Sequence, residues 1–346
     1  MSALDVDVRE IPKVELHRHL EMSIRHETVR ELAPQMGFDL PSDEAFRKQF
    51  LVTSPLEDLE SVLQCFLNNQ KLLFSSEVLE RITYETVEDA WREGTRILEL
   101  RYSPTFIRDG GGLADFDRIH QAVCDGLARA EKDFPVAVGL ICTIQRILPL
   151  KEGRYVADFA MANGDSFIGL DLADNEVGHP PRLFSPFFQK ARGKGLGITA
   201  HAGEADIPEA PGYVREAMDY LGAQRIGHGV QIHRDPKIMD EVKSKGIVLE
   251  LCVTSNWLTR AVPMRESHPF RHLFDYGINT TINSDDPGVF DIDLSGEYQL
   301  LVDHQHFSED ELNRCNDIAA WASFIPLEKK QKVWPRPIED ISKIMS

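Results

Sequence analysis

Eight short runs rich in β-branched and other apolar residues recur along the chain, each followed by a longer stretch of helical periodicity. This alternation restricts the fold more than any other feature. The runs are residues 14–19, 95–102, 136–143, 167–172, 197–201, 225–228, 247–252 and 278–283. Several are apolar at nearly every position, as parallel strands covered on both faces must be; a strand with one wet face alternates instead. Repeated βα units of this kind build parallel sheets, and eight of them close most simply into a (β/α)8 TIM barrel of the α/β class. An open doubly wound sheet shares the same local signals. No internal repeat, low-complexity tract or Gly/Ser linker divides the sequence, so residues 1–346 read as one domain.

The first crossover departs from the pattern. Residues 20–94 are too many for one helix, so a helical insertion, about residues 23–94, is expected between the first two strands. Ser54-Pro55-Leu56-Glu57 has the form of a capping box with proline in the first turn, and Leu59, Val62, Leu63, Phe66 and Leu73 follow at helical spacing. A second amphipathic stretch, with Val78, Leu79, Ile82, Thr86 and Ala90, stops at Gly94. Helices inserted after the C-terminal end of a barrel strand lie over the active-site mouth, so a lid that excludes water is expected. Helices that merely complete the outer ring are the alternative.

Charge narrows the partners. A formal net charge of -18 repels phosphate backbones and anionic lipid, which argues against nucleic acid and membrane as partners and for a small, uncharged ligand. The chain has no long apolar run, and its acidic start lacks the basic end and apolar stretch of a secretory signal; a cytoplasmic location is expected. Five widely spaced cysteines without a CxxC pair read as free thiols. Nothing in the sequence fixes the oligomeric state.

The ends of the strand runs carry the chemistry. His17-Arg18-His19 closes the first run, and residues i and i+2 of a strand point to the same side, so both imidazoles can bind one ion. His201 closes the fifth run within His201-Ala202-Gly203-Glu204, His228 the sixth within Arg225-Ile226-Gly227-His228-Gly229, and Asp285-Asp286 the eighth. In a barrel these edges converge on one rim, where barrel enzymes hold their active sites. Three imidazoles and a carboxylate from His17, His19, His201 and Asp285 suit one zinc ion, with a position left for a water whose pKa the ion lowers toward about 7. Glu204 can then serve as general acid and base where burial favours its protonated form, and His228 can hold the water and stabilise developing charge. Of the adjacent acids, Asp285 can ligate while Asp286 faces the substrate. Of the other histidines, His26, His120, His233, His268, His272, His304 and His306 are scattered and read as solvated or hydrogen-bonded structural residues.

These segments, in this order, resemble the signatures of the adenosine deaminase family of metal-dependent amidohydrolases; Glu99-Leu100-Arg101-Tyr102-Ser103-Pro104, Leu170-Asp171-Leu172-Ala173 and Thr254-Ser255-Asn256 look familial as well. The likeness runs from about Pro12 to Pro326. It implies hydrolytic deamination of adenosine or 2'-deoxyadenosine by attack of a zinc-bound hydroxide on purine C6. The implied ligands are His17, His19, His201 and Asp285. The implied catalytic groups are Glu204 (proton donor to N1), His228 (orienting the hydroxide) and Asp286 (bonding N7), and the substrate is implied to meet His19, Glu21, Asp174 and Asp286.

Departures bear on substrate. The family usually follows its second histidine with Leu-Asp-Gly, whose acid contacts the ribose 5'-hydroxyl; here Leu20-Glu21-Met22 stands, similar to the related adenine deaminases. Asp174 replaces a common glycine whose backbone amide contacts purine N3, and Glu176-Val177-Gly178-His179-Pro180-Pro181 is again similar to adenine deaminases. Adenine or another aminated purine nucleoside is therefore the alternative substrate. A barrel hydrolase of amides or esters, and a barrel that only binds nucleosides, are the more distant alternatives. The tail, 327–346, suggests no function.

Overall fold

The computed structural model describes residues 6–55 and 59–340, the side chains of 59–62 excepted. Eight strands, β1 (Lys13–His19), β2 (Thr95–Tyr102), β3 (Ala137–Gln145), β4 (Phe167–Ala173), β5 (Gly197–Ala202), β6 (Arg225–His228), β7 (Val248–Leu251) and β8 (Asn279–Ile282), pair in parallel in sequence order. Each falls on a run read from the sequence, with small shifts at the ends. The ring closes between its first and last members: Asp285 N–H donates to His17 O (3.0 Å), His19 N–H donates to Asp285 O (2.9 Å), and Leu16 N–H donates to Asn283 Oδ1 (3.0 Å). A doubly wound sheet would reverse its strand order at a switch point and leave open edges, so the fold is the (β/α)8 barrel.

The insertion divides into two kinds of helix. Helix α1 (His26–Leu32), α2 (Asp43–Phe50) and α3 (Leu59–Gln70) follow β1, and Leu63, Phe66 and Leu67 of α3 line the cavity at the barrel mouth. Helix α4 (Ser76–Arg92) starts on a Ser75 side chain that accepts from Val78 N–H, and it packs against the outer helix Phe116–Asp133. One part of the insertion thus covers the mouth and another completes the outer ring. Leu56 and Glu57 of the expected capping box, and the side chains of Leu59 and Val62, lie outside the described residues. Among the described residues no helix is long and apolar enough to cross a membrane.

The tail closes the opposite end. Helix Leu327–Gln331 leads to Trp334, which is buried in one apolar cluster with Val14, Ile97 and Ala137 from the N-terminal ends of β1, β2 and β3. Beside it, the Phe324 ring occupies the space a side chain at Gly197 would need; a Cβ there would stand 2.3 Å from the ring. Truncating a buried tryptophan removes its packing and leaves a cavity, so Trp334→Ala should cost about 3–5 kcal/mol in urea unfolding. Unchanged stability would show that the tail is not part of the floor.

Candidate active site

β1 places His17 and His19 on one side, β5 brings His201, and the turn after β8 brings Asp285. One donor atom from each lies within 4.8 Å of the others. His17 Nε2 and His19 Nε2 are 3.2 and 3.3 Å from Asp285 Oδ1, and His19 Nε2 is 3.2 Å from His201 Nε2. Tetrahedral zinc with bonds of about 2.0–2.1 Å separates its ligand atoms by roughly 3.3 Å, so the spacing fits that ion.

The far side of two rings settles what they offer. His17 Nδ1 donates to Glu250 Oε2 (2.7 Å) and His201 Nδ1 to the Asp171 carboxylate (3.1 Å), leaving both Nε2 lone pairs aimed inward. His17 Nε2 is fully buried and, despite its nearness to Asp285, makes no hydrogen bond. A buried acceptor without a donor is costly unless a cation fills the gap. A second group, His228, Cys252 and Asp285, also converges. That group offers three donors against the four of His17, His19, His201 and Asp285, so the three-imidazole set fits better.

Beneath these four residues runs a buried ionic layer that strand periodicity did not single out. Arg101 donates to Asp171 Oδ2 (3.1 Å) and Glu250 Oε2 (2.7 Å), and Arg225 Nε donates to Glu250 Oε1 (2.6 Å). Burial alone would raise the Glu250 carboxyl, but Arg101 and Arg225 outweigh it and hold the group far below the usual range. The available signal was a charged residue in the middle of a strand covered on both faces, as at Arg101, Asp171 and Glu250.

Glu204 follows β5 through Gly203, whose φ of +72° is the left-handed region that favours glycine. Its side chain is 25% exposed in the cavity; Oε1 accepts from Thr259 Oγ1 (3.0 Å), and Oε2 lies 3.7 Å from His228 Nε2. The backbone around it is clamped: the Glu176 carboxylate accepts from the N–H groups of Gly203, Glu204 and Ala205 at 3.0, 2.8 and 2.7 Å. His228 is buried, with its Nε2 3.8 Å from Asp285 Oδ2 and its Nδ1 2.9 Å from the Asn256 amide. Ser255 Oγ donates to Asp285 Oδ2 (2.7 Å). Thr259, Glu176 and Asn256 were not singled out as site residues by the sequence.

The remaining expected residues line the same cavity, of about 590 Å³. Asp286 is buried, and burial together with the neighbouring Asp285 charge raises its carboxyl well above the usual range. Burial pushes Glu21 up to about 8; its Oε1 accepts from Ser103 N–H (2.5 Å) while Oε2 is buried without a partner. Asp174 adopts φ +80°, the left-handed region that favours glycine, and its side chain turns aside to accept from Gln145 Nε2 (3.1 Å) and from the N–H of Asn175 (2.7 Å). His228 (φ +62°) and Asp285 (φ +65°) are also left-handed. Such strained backbone persists where surrounding structure holds it, commonly at functional sites. Among the described residues the cavity is lined by six carboxylates, including Glu21, Asp174 and Glu204, and by no lysine or arginine.

The adenosine deaminase family model matches residues 12–339. An adenosine deaminase of Pectobacterium atrosepticum is 35% identical over 330 residues, covering 95% of this chain and 96% of that protein. Among solved structures, an adenine deaminase from Arthrobacter aurescens superposes with a TM-score of 0.83 at 28% identity, covering 96% of this chain and 99% of its own. An N6-methyl-AMP deaminase from Arabidopsis thaliana gives 0.81 at 29% identity, covering 94% and 96%. An amidohydrolase from Burkholderia ambifaria, solved with bound zinc, gives 0.84 at 27% identity, covering 94% and 88%. The chain belongs to the adenosine deaminase family, hydrolases that act on C–N bonds.

Proposed function

We propose that this protein hydrolyses adenosine and 2'-deoxyadenosine to inosine and deoxyinosine with release of ammonia, using one zinc ion per chain. The observation that carries the reading is the convergence of His17, His19, His201 and Asp285 on one point beside Glu204, His228 and Asp286. Zinc held by those four residues would supply the Lewis acidity that lets water ionise near neutral pH. Glu204 delivers a proton to purine N1, which breaks the ring's aromaticity and makes C6 electrophilic. His228 orients the attacking oxygen, and Asp286, by keeping its proton, donates to N7. Leu63, Phe66 and Leu67 of α3 flank the bound purine and act as a lid, so we take residues 1–346 as one hydrolase unit.

The carboxylate-lined cavity, which among the described residues has no lysine or arginine, favours an uncharged nucleoside or base over a phosphorylated substrate. A second reading, adenine itself, is favoured by Glu21: the longer acid fills the place of the family's ribose-contacting aspartate, and its Oε2 is buried without a partner. Initial rates followed by loss of adenine absorbance separate the two. Adenosine and deoxyadenosine should be turned over faster than adenine; a wide advantage for adenine would replace the first reading with the second.

A further inference from the structure

We propose that His228 is a permanent hydrogen-bond donor to the attacking oxygen, fixed in its Nε2–H tautomer by a buried chain that begins at the backbone amide of Phe270 and runs through His268 and Asn256. The inference rests on the deamination proposed for this site and assigns positioning roles to His268 and Asn256.

The chain can be read in one direction because its first link has only one possible donor. A backbone N–H donates and cannot accept. Phe270 N–H lies 3.1 Å from His268 Nδ1, so that nitrogen carries the lone pair and the proton of the neutral ring sits on Nε2. The ring is buried, and burial pushes its pKa down to about 3, which excludes the doubly protonated form at neutral pH. His268 Nε2–H then donates to the atom 3.0 Å away, Asn256 Oδ1. With its oxygen committed to His268, the Asn256 amide must turn its NH2 to the other side, where His228 Nδ1 stands at 2.9 Å. His228 Nδ1 therefore accepts. Its only ring proton is on Nε2, the atom that faces Glu204 Oε2 at 3.7 Å and Asp285 Oδ2 at 3.8 Å.

The chemical consequence is a division of labour. An imidazole with a proton already on Nε2 cannot take one from water through that atom; it can only donate, occupying one lone pair of the oxygen and leaving another aimed at C6. As the C6–O bond forms, Glu204 takes the proton leaving the water and delivers it to N1. The Glu204 carboxylate then takes the hydroxyl proton of the tetrahedral adduct and passes it to the C6 amino group, so that the C6–N bond breaks with ammonia leaving and C6=O remaining. Asn256 and His268 lie outside this exchange. They do not line the cavity, and act by deciding which nitrogen of His228 carries hydrogen.

The zinc-loaded protein, labelled with 15N in histidine and studied by long-range 1H–15N correlation at neutral pH, gives the tautomer directly, with the His228 signals assigned by their loss in His228→Gln. His228 should appear with Nε2 protonated and Nδ1 bare. A protonated Nδ1, in either the other tautomer or the imidazolium, would overturn the proposal, and this measurement needs no altered chain in the sample. Kinetics supply the second arm. His268→Leu removes the donor that holds the Asn256 amide and should lower kcat on the order of tenfold, with KM and zinc content within about twofold. His268→Gln, which restores an N–H at that place, should recover most of the loss; an equal deficit in both variants would count against the relay. Absence of turnover on every purine would defeat the deaminase reading alone, since the spectrum still decides the tautomer.

Discussion

Replacing Glu204 by glutamine should remove nearly all turnover, by about 10²–10⁴-fold, with zinc still bound. The amide is nearly the same size as the carboxyl, and its oxygen can keep the hydrogen bond from Thr259 that now reaches Oε1 at 3.0 Å. The Glu176 clamp on the surrounding backbone is untouched, because it grips N–H groups and not the side chain. What glutamine lacks is a transferable proton. Zinc content by atomic absorption, measured with kcat on the same sample, separates the chemical defect from a structural one. Turnover retained in a zinc-loaded Glu204→Gln protein would refute the proton-donor role.

His17→Ala should act through the metal instead. It removes one of three imidazole donors and takes a hydrogen-bond donor from Glu250, whose buried charge is then balanced only by Arg101 and Arg225. Loss of an outer partner alone costs on the order of 10–100-fold in metal affinity, and loss of a direct ligand should exceed that. Competition with a chelator of known affinity measures the change, and activity should follow occupancy. A variant that remains fully loaded and active would contradict the assignment of His17.

The parts of this site that the sequence reveals share a physical reason. His17, His19, His201, His228 and Asp285 all stand at or just past the C-terminal ends of β-branched runs, and a barrel brings those ends together whatever the spacing between them. Side chains that meet across the barrel interior leave no such mark. Glu250, Asp171, Arg101 and Arg225 stand in separate strands, and only closure of the ring reveals that they form one layer beneath the ligands. His268 shows the same limit: as a scattered histidine it reads as structural, and it is indeed buried and hydrogen-bonded, but its link to His228 passes through Asn256 on another element. Trp334 sits in a proline-broken tail that suggests little by pattern, because its partners Val14, Ile97 and Ala137 are brought under the barrel by the fold.

The seam of the ring has a consequence for how function and architecture fail together. His17, His19 and Asp285 exchange the backbone hydrogen bonds that stitch the first strand to the segment after the last, and the same three residues belong to the set whose side chains could hold a metal ion. An ion held there would work as a clasp across the join. A chain whose clasp opens loses its ligand set in the same event, so catalytic competence reports on whether the whole cylinder is shut.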